Sequence, residues 1–245
     1  MTDEAPLQET WRAFKTLQYQ RHNQRRQEHL ATLGLELHGR SVLELGAGVG
    51  DHTPFFLDRG CRVTSVEPRA ELCARYVEAL QSAGYLHLSR GPALITAPIE
   101  DLDSVLTERF DIVYGYGLLY HLADPATALT LMAKWCQDLL LIETCVSFGD
   151  GDELHPVRET ASSPTQAFSG VGCRPTRRFV FDRLGKLFEH VYMPTTQPAH
   201  EDFPLDWTVS ATVGRLDALG FHRVAPPLAS PVLVPHIPQC QTRAP

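Results

Sequence analysis

The fold of this chain is decided by the stretch SVLELGAGVG at residues 41–50. Apolar residues, few enough for a buried parallel strand, lead directly into three glycines at alternate positions. Glycines let the backbone turn sharply and approach a ligand without a Cβ in the way. A second apolar run, residues 61–66, ends at Glu67, and an acid about 20 residues beyond a glycine-rich strand end is where a ribose is usually bound. The stretch therefore predicts a loop that binds a nucleoside.

The spacing of the glycines indicates which nucleoside. Dinucleotide-binding loops have the spacing G-x-G-x-x-G and direct a helix N-terminus at a pyrophosphate. Here the spacing is G-x-G-x-G, with Glu44 before the loop and Asp51 after it. Two acids repel a pyrophosphate and suit a cationic ligand, which disfavours a nicotinamide-dependent oxidoreductase. The alternative interpretation is an ordinary glycine turn between a strand and a helix.

Together with Glu67, the loop resembles the first two motifs of the class I S-adenosylmethionine-dependent methyltransferases, whose cofactor carries a sulfonium and an ammonium group. The resemblance implies S-adenosyl-L-methionine as the cofactor. It also implies that the cofactor contacts the loop, its flanking acids and the end of the second strand, namely Glu44, Gly46, Ala47, Gly48, Gly50, Asp51, Glu67 and Pro68.

Two further segments extend this resemblance over roughly residues 40–145. In the family, an acid after the third strand contacts adenine, but that position holds Pro98 here, so the role is expected of Glu100 or Asp101, with Ile99 against the ring. The run FDIVYGYGLLYH, residues 110–121, matches the fourth motif, which passes beside the methionine part of the cofactor. From this run, Gly115 and Tyr116 are the residues expected at the cofactor.

His121 at the end of this run is the candidate catalytic base, because its position is near the expected methyl group and its pKa suits neutral pH. The alternative is a structural histidine that hydrogen-bonds to the helix cap at Asp124. Four side chains are candidates for the acceptor site: Tyr120, Glu143, Arg174 and Arg177. The alternatives for them are an aromatic core, backbone hydrogen bonding, and ion pairs with surface acids.

The periodicity predicts an α/β fold: a Rossmann-like, seven-stranded, mostly parallel sheet with helices on both faces. Residues 1–39 are expected to form an N-terminal helical cap, with a helix over 7–33, and residues 40–245 the methyltransferase domain. The polar, glycine-rich segment at about 147–175 is predicted to be a substrate lid inserted after strand 5. Strand 6 is expected at 190–193, strand 7 at 208–213 or 221–224, and a surface tail after residue 225.

Composition limits the possible partners. A length of 245 residues and 43% hydrophobic content suit one soluble domain, and the net charge of −7 favours neither nucleic acid nor an anionic membrane as partner. The six scattered cysteines lack a C-x-x-C pair, which predicts reduced thiols and a cytoplasmic location. No metal is expected, because His52, His121 and His155 do not have ligand spacing.

The sequence thus predicts a methyltransferase that transfers a methyl group to an oxygen or nitrogen of a small molecule. One alternative is a methyltransferase acting on a protein or tRNA, with the basic first helix as its docking face. Another is a catalytically silent protein that binds S-adenosylmethionine. The sequence does not indicate an oligomeric state.

Overall fold

A computed structural model of the chain describes residues 12–87, 91–208, 215–216 and 230–245. The helices are α1 (Leu17–Thr32), α2 (Thr53–Leu57), α3 (Ala70–Ser82), α4 (Leu102–Val105), α5 (Pro125–Trp135) and α6 (Arg177–Leu187). The strands of the first half are β1 (Ser41–Leu45), β2 (Arg62–Val66), β3 (Ala93–Ile95), β4 (Phe110–Tyr116) and β5 (Cys136–Cys145). The remaining strands are β6 (Leu154–Arg158), β7 (Val171–Pro175), β8 (Met193–Pro194), β9 (Thr196–Gln197), β10 (Arg215–Leu216), β11 (Leu233–Val234) and β12 (Thr242–Arg243).

The main sheet confirms the predicted Rossmann-like architecture. Five parallel strands lie in the order β3-β2-β1-β4-β5, so the strand order reverses between β1 and β4. Ligands of such sheets bind at the carboxyl ends of the strands beside this reversal. The predicted number of seven strands is wrong: in the described part of the chain, the five strands are joined only by the two-residue β10, antiparallel to β5.

The predicted sixth and seventh strands explain this difference. Residues 193–194 form β8, which pairs with β11 in a separate two-stranded sheet and does not extend the main sheet. The candidate seventh strand at 208–213 lies outside the described residues except for Thr208, and 221–224 lies wholly outside them.

The sheet is covered on both faces, as its continuous apolar strands require. Val42 and Leu141 belong to the apolar cluster on one face, which includes Leu30 and Phe56 from α1 and α2. Adjacent residues of the same strands, such as Leu43 and Leu140, belong to the cluster on the other face, with α5 and α6. The period-2 alternation of side chains thus divides each strand between two cores.

The N-terminal caps of α5 and α2 differ in how they agree with the sequence. Asp124 caps α5 as expected, accepting hydrogen bonds from the amides of Ala126 and Thr127. At α2, the cap position belongs to His52, although the Thr53-Pro54 pair in the sequence predicts a cap at Thr53. The buried Thr53 hydroxyl instead donates to Glu44 Oε2 at 2.6 Å, inside the fold.

The predicted lid segment is more regular than its polar composition indicates. Strands β6 and β7 form an antiparallel hairpin, joined by a loop at residues 159–170. The chain after residue 229 lies mostly at the surface, as expected of a surface tail, but it also pairs with other elements. Its strands β11 and β12 pair with β8 and β9, and Gln241 is buried. No helix in the described ranges has the length and apolar character needed to cross a membrane.

Candidate functional site

One cavity of about 880 Å³ opens at the carboxyl ends of the main-sheet strands. Its walls come from α1, the glycine loop, the ends of β2 and β4, the segment after β3, and the β6–β7 loop. The sequence-predicted residues that line it are Glu44, Gly46, Ala47, Gly48, Asp51, Glu67, Pro68, Ile99, Glu100, Tyr116, Tyr120, His121 and Arg174. The fold thus brings four separate sequence motifs to one site. Their individual roles stay predictions.

The glycine loop has the backbone conformation that favours glycine. Gly48 has φ +55°, and a Cβ there would meet no protein atom within 4 Å, because it would enter the cavity. Gly50 has φ +82°, and a Cβ there would lie 2.8 Å from Cδ2 of Tyr76. Gly50 is therefore required by packing behind the loop and does not line the cavity.

Glu67 connects the loop to the second strand end. Its Oε2 accepts a hydrogen bond from the Gly48 amide at 3.0 Å, and its Oε1 accepts one from the Arg69 amide at 3.1 Å. Burial raises the pKa of this carboxyl, although both amides favour the ionised form. Two amide contacts thus fix the Glu67 carboxylate in the cavity wall, and its contact with ribose stays a prediction.

Glu44 lies beneath the loop, almost fully buried, and also contacts the cavity. Its Oε2 accepts hydrogen bonds from Thr53 and Ser65, at 2.6 and 2.7 Å. Burial raises the pKa of Glu44 to about 7, because the protein interior disfavours an isolated carboxylate. A cationic ligand in the cavity would favour the ionised form.

The segment after β3 carries the two candidates for the adenine contact, and that role stays a prediction. Glu100 lines the cavity together with Ile99, whereas Asp101 does not. Two other predicted residues lie in the strands behind the cavity wall. Gly115 lies within β4 beside Met132, and Glu143 is buried near the end of β5. Neither of these two lines the cavity.

Glu143 forms an ion pair with Arg26 of α1. Arg26 is itself buried and lines the cavity, so α1 contributes more than a solvated basic face. Its neighbour Asn23 donates to Asp51 Oδ2 at 3.4 Å, which connects α1 to the cofactor loop. No local pattern in the sequence indicates these pairings, because the partners lie 28 or more positions apart.

His121 does not contact the helix cap at Asp124. Its Nδ1 lies 2.5 Å from Oε2 of Glu159, which also accepts a hydrogen bond from the Ala167 amide at 2.6 Å. Arg174 lies 3.3 Å from the other oxygen of Glu159. Although burial acts in the opposite direction, His121, the Ala167 amide and Arg174 lower the pKa of Glu159. An ionised carboxylate thus orients the imidazole at the cavity wall.

Arg177, a candidate for the acceptor site, lies outside the cavity lining. Its guanidinium donates to the backbone oxygen of Pro238 at 2.6 Å, stacks over Trp207 and does not line the cavity. The start of α6 is buried against the C-terminal segment. The spacing of the arginines in the sequence could not predict this contact, because the partner lies 61 positions away.

Arg69 is a residue of the site that the motifs did not identify. Its guanidinium donates hydrogen bonds to the backbone oxygens of Ala161, Ser163 and Gln166, at 2.9 to 3.2 Å. Gln166 and Phe168 from the same loop line the cavity. Because the Arg69 amide also contacts Glu67, one residue joins the wall at the expected ribose position to the β6–β7 loop.

Comparisons with known proteins agree with this geometry. Residues 43–138 match the family described as a methyltransferase domain. The tRNA U34 carboxymethyltransferase of Dichelobacter nodosus is 31% identical over 147 residues, which are 59% of this chain and 43% of that protein. The chain thus spans less than half the length of this curated relative.

Two solved structures show the same fold at low identity. The N-terminal domain of EvdMO1, crystallised in the presence of S-adenosylhomocysteine and D-fucose, has a TM-score of 0.63 and 22% identity, covering 85% of both chains. Magnesium protoporphyrin IX methyltransferase from Synechocystis with bound S-adenosylhomocysteine has a TM-score of 0.56 and 13% identity, covering 86% of this chain and 93% of its own.

Proposed function

We propose that this chain, a member of the class I S-adenosylmethionine-dependent methyltransferases, transfers a methyl group from S-adenosyl-L-methionine to an oxygen or nitrogen of a small molecule. The observation that carries the proposal is the shared cavity, in which the cofactor loop and the His121–Glu159 pair are both in the wall. The remaining volume is closed on one side by the β6–β7 loop, which suits a small acceptor.

In the proposed reaction, the acceptor atom attacks the sulfonium methyl group in line with the breaking S–C bond. The electron pair of that bond remains on sulfur, and S-adenosylhomocysteine leaves. Holding the two reactants in this alignment supplies about 7–11 kcal/mol of barrier reduction. Because the sulfonium is already activated, the residues mainly position the reactants.

His121 is proposed to take the acceptor's proton. With Nδ1–H donated to Glu159, the lone pair of the imidazole is on Nε2, and the carboxylate stabilises the imidazolium that forms. A hydroxyl gains most from such a base, so the pair favours an oxygen acceptor. The presence of D-fucose with the EvdMO1 domain supports a hydroxyl-bearing acceptor of similar size.

The β6–β7 loop is proposed to act as the lid of this cavity, and residues 1–39 as its N-terminal cap. Arg69 would hold the loop closed over both substrates through its three carbonyl contacts. Exclusion of water in this way strengthens the electrostatic interactions in the site.

The test is release of S-adenosylhomocysteine and a product 14 Da heavier when the protein is incubated with S-adenosylmethionine and metabolite extract. His121→Ala should lower kcat about 10²–10⁴-fold, with little change in cofactor affinity. His155→Ala, on the exposed β6 strand of the same hairpin, is the matched control and should retain activity. An unchanged kcat in His121→Ala would contradict the proposed base.

A tRNA acceptor is the second candidate, since the curated relatives that match are tRNA U34 carboxymethyltransferases. The net charge of −7 opposes it, because phosphate contacts require basic surface. Methylation of tRNA whose rate falls steeply with added salt would favour this candidate. Cofactor binding without any product from extract, peptide or tRNA would instead favour a catalytically silent protein.

A further inference from the structure

Two histidines and an aspartate meet at the wall of the cavity, away from the His121–Glu159 pair. His22 lies on α1, and His200 and Asp202 lie in the turn after β9. One metal-ligating atom from each side chain lies within 4.8 Å of the other two. His22 and Asp202 line the cavity, so the cluster is accessible from it.

The distances within this His22–His200–Asp202 cluster suit coordination of one ion. His22 Nδ1 lies 2.9 Å from Asp202 Oδ2, and His200 Nδ1 lies 3.6 Å from the same oxygen. Bonds of about 2.0–2.2 Å from nitrogen and oxygen ligands to one ion place the ligand atoms about 3.0–3.5 Å apart. Small side-chain adjustments would therefore bring all three to a common metal.

Packing holds the two imidazoles in place before any ligand arrives. Both histidines are buried, at 4% and 2% exposure. The His22 ring stacks on Phe203 at 5.0 Å and meets the His200 ring edge-on at 5.1 Å. Preorganised ligands lose little conformational freedom on binding, which increases affinity.

A simple hydrogen-bonded His–Asp pair does not account for the cluster. Such a pair requires one histidine, and His22 already provides it. His200 Nδ1 lies beyond hydrogen-bond distance of the carboxylate and accepts a hydrogen bond from the Asp202 amide at 3.2 Å, whereas its Nε2 is buried without a hydrogen-bond partner among the described residues. Buried ring nitrogens normally have a hydrogen-bond partner or a metal, so His200 is left with one unsatisfied ring nitrogen beside the cluster, and an ion bound at Nδ1 would replace its contact with the Asp202 amide.

We propose that His22, His200 and Asp202 bind one divalent first-row transition-metal ion, of the Zn²⁺ or Mn²⁺ class, at the cavity wall. Two imidazoles and one carboxylate favour such ions over Mg²⁺, which prefers an all-oxygen shell. Three protein ligands leave coordination positions for water or for an oxygen atom of a molecule in the cavity. That last role rests on the proposed function, whereas ion binding itself does not.

The experiment titrates Zn²⁺ into the full chain, cleared of metal and without cofactor or acceptor, in competition with a chromophoric chelator. We expect one ion per chain, and at least tenfold weaker binding in Asp202→Asn and in His200→Gln. His155→Ala is the control and should bind as the unchanged protein does. Thermal melts establish that each variant is folded.

A second measurement keeps the proposal testable if either variant fails to fold. Co²⁺ added to the unchanged protein should give the visible absorption of nitrogen and oxygen ligation, and should broaden the NMR signals of the His22 and His200 rings. Absence of stoichiometric Zn²⁺ binding, or equal binding in Asp202→Asn, would overturn the proposal. Because no methyl transfer is measured, this outcome is distinct from failure of the proposed activity.

Discussion

At the residue scale, Gly48 combines a left-handed backbone with an open direction into the cavity. Gly48→Val should abolish binding of S-adenosylhomocysteine, because the new side chain occupies cofactor space. Gly84→Val is the matched control: it has φ +83° and an equally open Cβ direction, but lies after α3 and outside the cavity lining. Calorimetry should show binding in the control alone, and both variants should lose about 1–2 kcal/mol of stability from backbone strain.

If Glu44 contacts the cationic cofactor as predicted, cofactor affinity should depend on pH. Its pKa of about 7 means that, below this pH, a cationic ligand must displace a proton from the carboxyl. Affinity for S-adenosylmethionine should therefore fall as pH decreases from 8 to 6, approaching tenfold per unit below pH 7. In Glu44→Gln the affinity should be lower and should lose this pH dependence. Retention of the unchanged pH profile in the variant would show that another group titrates.

The same residue affects stability with the opposite sign. The pKa of Glu44 is higher in the folded than in the unfolded chain, so the folded state binds more protons between about pH 4.5 and 7. Its contribution to the free energy of unfolding is thus present at low pH and is lost as pH rises through 7, by about 3 kcal/mol. Glu44→Gln should gain stability relative to the unchanged protein at pH 8 but not at pH 4.5, as measured by urea unfolding.

At the scale of elements, one side chain, that of Arg69, joins the β6–β7 loop to the segment after β2. Arg69 reaches three backbone oxygens of this loop, which a lysine ammonium on one flexible stem cannot do. Arg69→Lys should increase protease cleavage within residues 159–170 and raise KM for the acceptor. Cofactor affinity should change little, since the backbone contact from residue 69 to Glu67 remains.

Arg75→Lys is the control for that experiment, because Arg75 lies on α3 and pairs with Glu78 on the same helix. Equal protection of the loop in Arg69→Lys and the control would contradict the assigned role. A parallel loss of cofactor affinity would instead mean that the substitution disturbs the Glu67 wall.

At the scale of the whole molecule, the C-terminal segment forms hydrogen bonds with residues of β8 and β9 and with Trp207, which are distant from it in sequence. Gln241 donates to the backbone oxygen of Pro194, and its own side-chain oxygen accepts from Gln197 and Trp207, at 2.7 to 2.9 Å. Gln241→Leu would leave buried donors unpaired and should cost about 2–4 kcal/mol in urea unfolding. Thr242→Val, at the exposed next position, should cost much less.

Sequence patterns predicted the strands of the sheet well where a strand is one continuous apolar run. The apolar runs before the glycine loop and at residues 61–66 correspond to β1 and β2, because buried strands of a parallel sheet are rich in apolar residues. Prediction failed after residue 146, where polar residues form the β6–β7 hairpin and the strands β8 to β12 are two residues each. Such short pairings leave no periodic pattern for sequence reasoning to detect.

The sequence by itself determined the Rossmann-like class, and the resemblance of its motifs to the methyltransferases implied S-adenosylmethionine as the cofactor. The fold class depends on local alternation and on the backbone of the glycine loop, which neighbouring residues specify. Only the tertiary structure decided the partner of His121, the contacts of Arg69 with its loop, and the meeting of His22 with His200 and Asp202. Those contacts join residues 38 to 180 positions apart. Packing of the elements against one another sets them, and no local pattern encodes that packing.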